Sequence, residues 1–392
     1  MRDISKCLFG VVFFWVPSAF AYGSSGQVQT ITTLAQLRTL SMTGNYKLGA
    51  NIDASATQNS GQAFVSLGTN ANPFRGTLDG GNFAINNLRI DSSGQATGLF
   101  AYATGAWVHH VGITNASVTG HHQTGGFIGV SQDTLVEYSY VTGNVRGRTG
   151  VGPWLGVGML VGTAYGGTII QASYATGSVT GPVQQGGGIV GGAFGYVLSD
   201  NPTRIHECFS NVTITPTVDA AFTGRIVIGG IVGVAQSVDM QHALTLGTFT
   251  ARAPAYVGGV IGSITAPGDS PANIYTRLLT RGVVTITGGS QRAGAIGYHD
   301  GNGYCDSLWD STVDGGSPPP EANGCQSPVT TSALLSPTFA YGPFCIGTAI
   351  TDPSNPLWPA CSQGRWADDV WNYNSTSQHN TLKGIPDEIQ PK

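Results

Sequence analysis

The sequence predicts an all-β fold built as a parallel β-helix, a solenoid of stacked coils closed by a cap at each end. Three observations predict it. A phrase of one or two glycines, two apolar residues and a small residue recurs seven times, anchored at Gly98, Gly126, Met159, Gly188, Gly230, Gly259 and Gly294, at intervals near thirty residues. Glycine, at 58 of 392 residues, is about twice its usual share. No segment from 96 to 300 keeps a 3.6-residue apolar period, and glycine at this density disfavours helix. A propeller would need blades of about 40–50 residues, longer than these units.

The elements follow in order. Arg2 and Lys6 precede an apolar run over residues 7–16, and Ala19-Phe20-Ala21 offers small residues for cleavage, so residues 1–21 read as a signal peptide with a mature start near Tyr22. The run is too short to span a membrane, which takes about 20 residues. Residues 22–72 read as an N-terminal cap. Leu34, Leu37 and Leu40 fit one or two helical turns there, and Tyr46, Leu48 and Ile52 fit short strands.

Residues 73–300 read as the repeats. Asp79-Gly80-Gly81-Asn82 is a turn, and Phe83, Ile85, Leu88 and Ile90 alternate on either side of an Asn pair. Each repeat has a second recurring half: residues 138–145 (YSYVTGNV) match residues 172–179 (ASYATGSV), with looser copies at 208 and 243. The longest interval, from 188 to 230, predicts a loop insertion around Asp200-Asn201-Pro202.

From residue 301 the composition changes. The segment 301–392 holds 11 of 20 prolines, four of seven tryptophans and four clustered cysteines, and reads as a C-terminal cap. In an oxidising compartment Cys305, Cys325, Cys345 and Cys361 are expected as disulfides, with local pairing of 305 to 325 and 345 to 361 preferred among three connectivities. Cys208 is expected to be a small buried hydrophobe.

The phrases Gly98-Leu99-Phe100, the later Gly-Gly-apolar-apolar-Gly copies, and the segments Tyr140-Val141-Thr142-Gly143 and Tyr174-Ala175-Thr176-Gly177 resemble the GLUG-motif repeat family of bacterial secreted and surface proteins. The likeness covers roughly residues 30–375, including the flanking Phe74-Arg75-Gly76-Thr77-Leu78-Asp79-Gly80 and Leu308-Trp309-Asp310. It implies a right-handed β-helix on adhesin-like proteins, and also on non-catalytic parts of immunoglobulin A peptidases. The chain has no H-E-x-x-H of a zinc peptidase.

The formal charge is −4, and residues 96–300 carry eight Arg, no Lys and eight acidic residues without a run, which gives no footprint for nucleic acid. Four constellations are candidates for chemistry. The pairs His109-His110 and His121-His122 flank one strand, but neighbours on a strand face opposite ways and no carboxylate is near in sequence, so no metal is expected there. Glu137 with Asp133, and Glu207 with Arg204, are the candidate groups for a polysaccharide lyase or glycoside hydrolase. No cofactor motif is present, because glycine follows the coil period and not a strand-to-helix turn.

The fourth constellation is a hydroxyl ladder: Ser117-Val118-Thr119, Ser178-Val179-Thr180, Thr213-Ile214-Thr215, Thr248-Phe249-Thr250 and Thr285-Ile286-Thr287, interrupted by Asn144-Val145-Arg146. With the central residue inward, period two turns the hydroxyls outward. Thr119, Thr180, Thr213, Thr215, Thr248, Thr250, Thr285 and Thr287 are therefore the expected ligand-binding residues, for a glycan or an ice-like repetitive surface. The expectation for the whole chain is an exported, non-catalytic, adhesin-like protein whose partners are glycans or a host or matrix surface.

Overall fold

Each coil is laid down by alternation between short strands and the bends that glycine permits. The computed structural model describes residues 22–148, 156–195, 201–217, 224–252, 254–265, 274–287, 294–299, 304–312, 326–330, 371–374 and 379–382. The expected signal peptide at residues 1–21, Asp200 of the insertion expected around Asp200-Asn201-Pro202, Cys325, Cys345, Cys361 and the Cys305 side chain lie outside the described residues.

The described strands form a parallel β-helix: one sheet of 20 strands, two sheets of six, and an antiparallel pair, Trp371–Asn374 with His379–Leu382. One coil shows the pattern. Ala96–Thr97 leads through the glycine corner into Phe100–Thr104, a turn leads to Trp107–His109, a bend leads to Gly112–Gly120, and Gln123–Thr124 begins the next coil directly against Ala96–Thr97. Strand pairing already begins at Val28–Ile31, which lies parallel to Asn45–Leu48. It continues past residue 300 through Tyr304–Asp310 and Gln326–Val329. The helix at Leu34–Leu37 is a single turn closed by a Thr33/Gln36 capping box, with Leu37 and Leu40 buried. Among the described residues no helix is long and apolar enough to cross a membrane.

The core is a set of inward columns. Leu78, Val108, Val136, Ile170, Ile205 and Met240 stack in register, as do Ile90, Val118, Val145, Val179, Ile214, Phe249 and Val284, and all are buried. The glycine phrases stack as well. Their apolar residues are fully buried and pass hydrogen bonds from coil to coil, from Phe127 N–H to Leu160 O (3.0 Å), Leu160 to Ile189 (3.1 Å), Ile189 to Ile231 (3.0 Å) and Ile231 to Val260 (2.8 Å). At Gly230 the close approach explains the residue type: an added Cβ would collide with the Gly259 carbonyl of the next coil and press on Phe249 and Thr245.

Replacing Gly230 with Ala is expected to destabilise the protein by about 2 kcal/mol or more, through overpacking against backbone that has no rotamer to relax. Gly26→Ala, whose Cβ would meet nothing nearer than 3.7 Å, is expected to change stability by less than about 0.5 kcal/mol. Thermal melts of both variants check this, and equal midpoints would contradict it.

Candidate functional site

Because every strand residue lies beside its counterpart one coil away, side chains that point outward form ranks along the face. On the face built by Asn45–Leu48, Thr77–Asp79, Trp107–His109, Leu135–Glu137, Ile169–Gln171, Thr203–His206 and Val238–Thr245, one rank is polar throughout: Lys47, Asp79, His109, Glu137, Gln171, His206 and Gln241. Two positions upstream runs a second rank, Trp107, Leu135, Ile169, Arg204 and Asp239. Tyr22 and Gly23 cross near these ranks, with Gly23 N–H donating to Gly105 O (2.9 Å) and the Tyr22 hydroxyl to Gly167 O (3.4 Å).

The polar rank is tied together. Trp107 Nε1–H donates to one Glu137 oxygen (2.9 Å) and Gln171 Nε2–H to the other (2.7 Å). Lys47 Nζ lies 3.4 Å from Asp79, and His109 Nδ1 lies 3.7 Å from the other Asp79 oxygen. Further along, His206 Nε2 is 3.2 Å from Asp239, whose second oxygen accepts from Gln241 at 2.8 Å. Apart from the exposed Lys47, these contacts hold half-buried side chains in place on an otherwise weakly charged protein.

The bend after Trp107–His109, Leu135–Glu137, Ile169–Gln171 and Thr203–His206 is left-handed, at φ of 51° for His110, 46° for Tyr138, 45° for Ala172 and 56° for Glu207, and the same conformation recurs within Val238–Thr245 at His242 (55°) and within Ile274–Thr280 at Arg277 (56°). Non-glycine residues there cost of order 1–3 kcal/mol each. Two sets of bonds across and within the bend offset the cost. The amides of His110, Tyr138, Ala172 and Glu207 donate to the carbonyls of Glu137, Gln171, His206 and Gln241 in the next coil. Inside the bend, the buried Ser139 and Ser173 hydroxyls donate to the carbonyls of Glu137 and Gln171, both at 2.7 Å. Cys208 takes the same place one coil later, its Sγ 3.4 Å from the His206 carbonyl. It is fully buried, as expected, and burial pushes its thiol up to about 12.

The left-handed bend also changes which side chains meet. His109 and His110 were expected on opposite faces, and the structure corrects this: Nδ1 of one lies 3.0 Å from Nδ1 of the other. Strand alternation ends at His109, and the positive φ of His110 returns its ring to the outward side. The carboxylate missing from the local sequence comes from the preceding coil as Asp79. His121 and His122 pack against each other edge to face, at 4.6 Å between centroids.

Burial holds His109 below the usual imidazole range, with Asp79 opposing the shift. Burial, then the charges of Arg277 and His206, lower His242 to about 3, and Arg277 Nη1–H donates to His242 Nε2 at 2.7 Å. At Asp239 burial raises the carboxyl, but the His206 hydrogen bond and charge, with Gln241 and Arg204, outweigh it and leave the group lowered.

The other expected residues are placed as follows. Val118, Val179, Ile214 and Phe249 face inward with their hydroxyl neighbours outward. The last copy is displaced: Phe249 pairs with Val284, not Ile286, so Thr285 lies beside Thr250 and Thr287 beside Arg252. Ile286 is only half-buried. The shift of two keeps Thr285 and Thr287 outward. Asn144 Nδ2–H donates to Ser178 Oγ (2.6 Å), joining the interruption to the ladder. Asp133 does not meet Glu137 in a pair of acids; its Oδ1 accepts from the Gly167 amide (2.9 Å) and supports a turn. Arg204 lies beside Asp239 in register, while Glu207 occupies a left-handed bend.

Comparison with known proteins adds three findings. No family model matches the chain. Halomucin from Haloquadratum walsbyi is 35% identical over 118 residues, 28% of this chain, and the chain spans about one hundredth of that protein's length. A crystal structure from Bacteroides ovatus described as a "putative immunoglobulin A1 protease" aligns over 93% of this chain and 94% of that chain, with a TM-score of 0.41 and 16% identity.

The lowered imidazoles give stability a definite pH dependence. His242 titrates near 3 when folded and near 6.5 when unfolded, so between these values the unfolded chain binds the extra proton. Its contribution is complete above about pH 6.5 and is lost as the pH falls toward 3, and His109 adds in the same direction. The thermal midpoint is expected to drop from pH 7 to pH 4, and to drop less in His242→Asn, which keeps a side chain tolerant of positive φ. Equal slopes in both proteins would contradict this.

Proposed function

We propose that the protein is exported and non-catalytic, a β-helical surface or secreted protein that binds an extended glycan along the face carrying Trp107, His109, Glu137 and Gln171. The observation that carries this reading is the in-register rank of fixed hydrogen-bonding side chains beside outward Trp107 and the left-handed Tyr138. Ranks about 4.8 Å apart present the same groups again and again to a repeating polymer. Trp107 and Tyr138 add apolar ring surface with a polar edge, which suits the mixed faces of sugar rings. Export is supported by the predicted signal peptide at 1–21, and by the clustered cysteines proposed as staples of the C-terminal cap. The recurring glycine phrases support a place near the GLUG-motif proteins. Engagement of both Glu137 oxygens supports binding over lyase or hydrolase chemistry, since an acid or base there would first have to be released from Trp107 and Gln171.

One observation favours a second reading. Ser178, Thr213 and Thr248, with Thr180, Thr215 and Thr250 beside them, form two hydroxyl ranks across three successive coils. A flat array of this kind suits a repetitive glycan or an ice surface.

A glycan array and cell-surface retention assay with the purified mature protein separates the two. The combined Trp107→Ala and Gln171→Ala variant is expected to lose at least about tenfold in retention, with its circular dichroism unchanged. Lys at Thr180, Thr215 and Thr250 should leave retention intact. The reverse pattern would transfer the function to the hydroxyl ranks, and no retention on any glycan or cell would reject glycan binding through either surface.

A further inference from the structure

We propose that Asp79, His109 and His110 form a binding site for a divalent first-row transition ion of the Zn²⁺ class. The inference stands on the geometry of these three residues and does not depend on glycan binding. One ligand atom from each of the three lies within 4.8 Å of the others, and this is the group of three such residues found among the described residues. The two Nδ1 atoms are 3.0 Å apart and His109 Nδ1 is 3.7 Å from Asp79 Oδ1. Ligands bound to one zinc at about 2.0–2.2 Å sit about 3–3.5 Å from each other. The histidine pair therefore already has the spacing, His109 and Asp79 are within a few tenths of an ångström of it, and the carboxylate, at most 4.8 Å from the His110 ligand atom, closes on the ion by side-chain rotation.

The surroundings hold the ligands in place. Trp107 packs against His109 with centroids 4.1 Å apart, and Tyr138 stacks on His110 at 4.9 Å and 16°. The Gly81 amide donates to Asp79 Oδ1 at 2.8 Å. Glu137, pinned by Trp107 and Gln171, lies beside His109 in the next coil and adds a second negative charge. Such outer contacts orient ligating groups. Two imidazoles and one carboxylate suit a borderline metal more than Ca²⁺ or Mg²⁺, which prefer all-oxygen sites. Three protein ligands leave a position open to water or to an oxygen of a bound molecule, on the outward face.

One group in the structure competes for the site. Lys47 Nζ lies 3.4 Å from Asp79 Oδ2, and its side chain is 52% exposed, so it can move into solvent when an ion arrives. Removing this ammonium should strengthen metal binding, both by freeing Asp79 and by removing a repelling charge.

The test is calorimetric titration of the chelator-treated, purified mature protein with Zn²⁺ alone, backed by the visible spectrum of the Co²⁺ form. The expected result is a Zn²⁺ site that weakens at least tenfold in His109→Ala and in His110→Ala, weakens in Asp79→Asn, and tightens in Lys47→Ala. The double variant His121→Ala with His122→Ala should bind as the parent does. Absence of Zn²⁺ uptake by the parent above the level of the His109 and His110 variants overturns the proposal. So does loss of binding in the His121 and His122 double variant alone. Far-UV circular dichroism confirms that each variant folds, and the gain expected in Lys47→Ala keeps the proposal testable if a histidine variant does not.

Discussion

Coil-on-coil register is the constraint on which everything else in this structure depends. Parallel pairing fixes each backbone about 4.8 Å from its neighbour, so a residue's closest partner is its counterpart one turn of the solenoid away. Inside, this produces apolar columns such as Leu78, Val108, Val136 and Ile170. Outside, it forces polar side chains to satisfy each other along a rank, and Gln171, Glu137 and Trp107 do so by direct hydrogen bonds. At the corner it brings backbones so close that Gly230 has no room for a Cβ beneath Gly259. The same spacing that excludes side chains at the corner concentrates them on the face.

The left-handed bends show how local strain is used. A run of positive φ from His110 to Arg277 is unfavourable residue by residue, and it persists because each bend sits on another of the same shape. Buried Ser139, Ser173 and Cys208 close the bends from within. The result, as at His109 and His110, is two consecutive outward positions where a strand alone would offer one in two. His110 and Tyr138 reach the face by that route, and His242 is brought against Arg277.

Much of the fold was legible because its constraints act on residue type. Excluded Cβ atoms appear as repeated glycine, and inward columns appear as Val118, Val179, Ile214 and Phe249 between hydroxyl residues. What was not legible depends on register across some thirty residues. Nothing near His109 announces Asp79, because the intervals between coils vary with their loops. The expectation that His109 and His110 diverge assumed continuous strand, and only the Asp79-Gly80-Gly81-Asn82 turn in the preceding coil hints that a bend belongs there. The misplacement of Ile286 has a similar cause. Val283 N–H bonds to Gly247 O (2.9 Å), and this fixes Val284 under Phe249, whatever the likeness of Thr-Ile-Thr to the earlier copies.

A polar rank held by its own hydrogen bonds is a preorganised surface, since little side-chain freedom remains to be lost on binding. Its placement on the strand face, and not on the hydroxyl ladder, is the central claim. Covalent side-chain footprinting by mass spectrometry, with and without the glycan retained most strongly, tests it directly. The account predicts protection of Trp107, His109, His110, Tyr138 and Glu137 upon glycan binding, with His121 and His122 labelled as before. Unchanged labelling of the first group while the ligand is bound would contradict it.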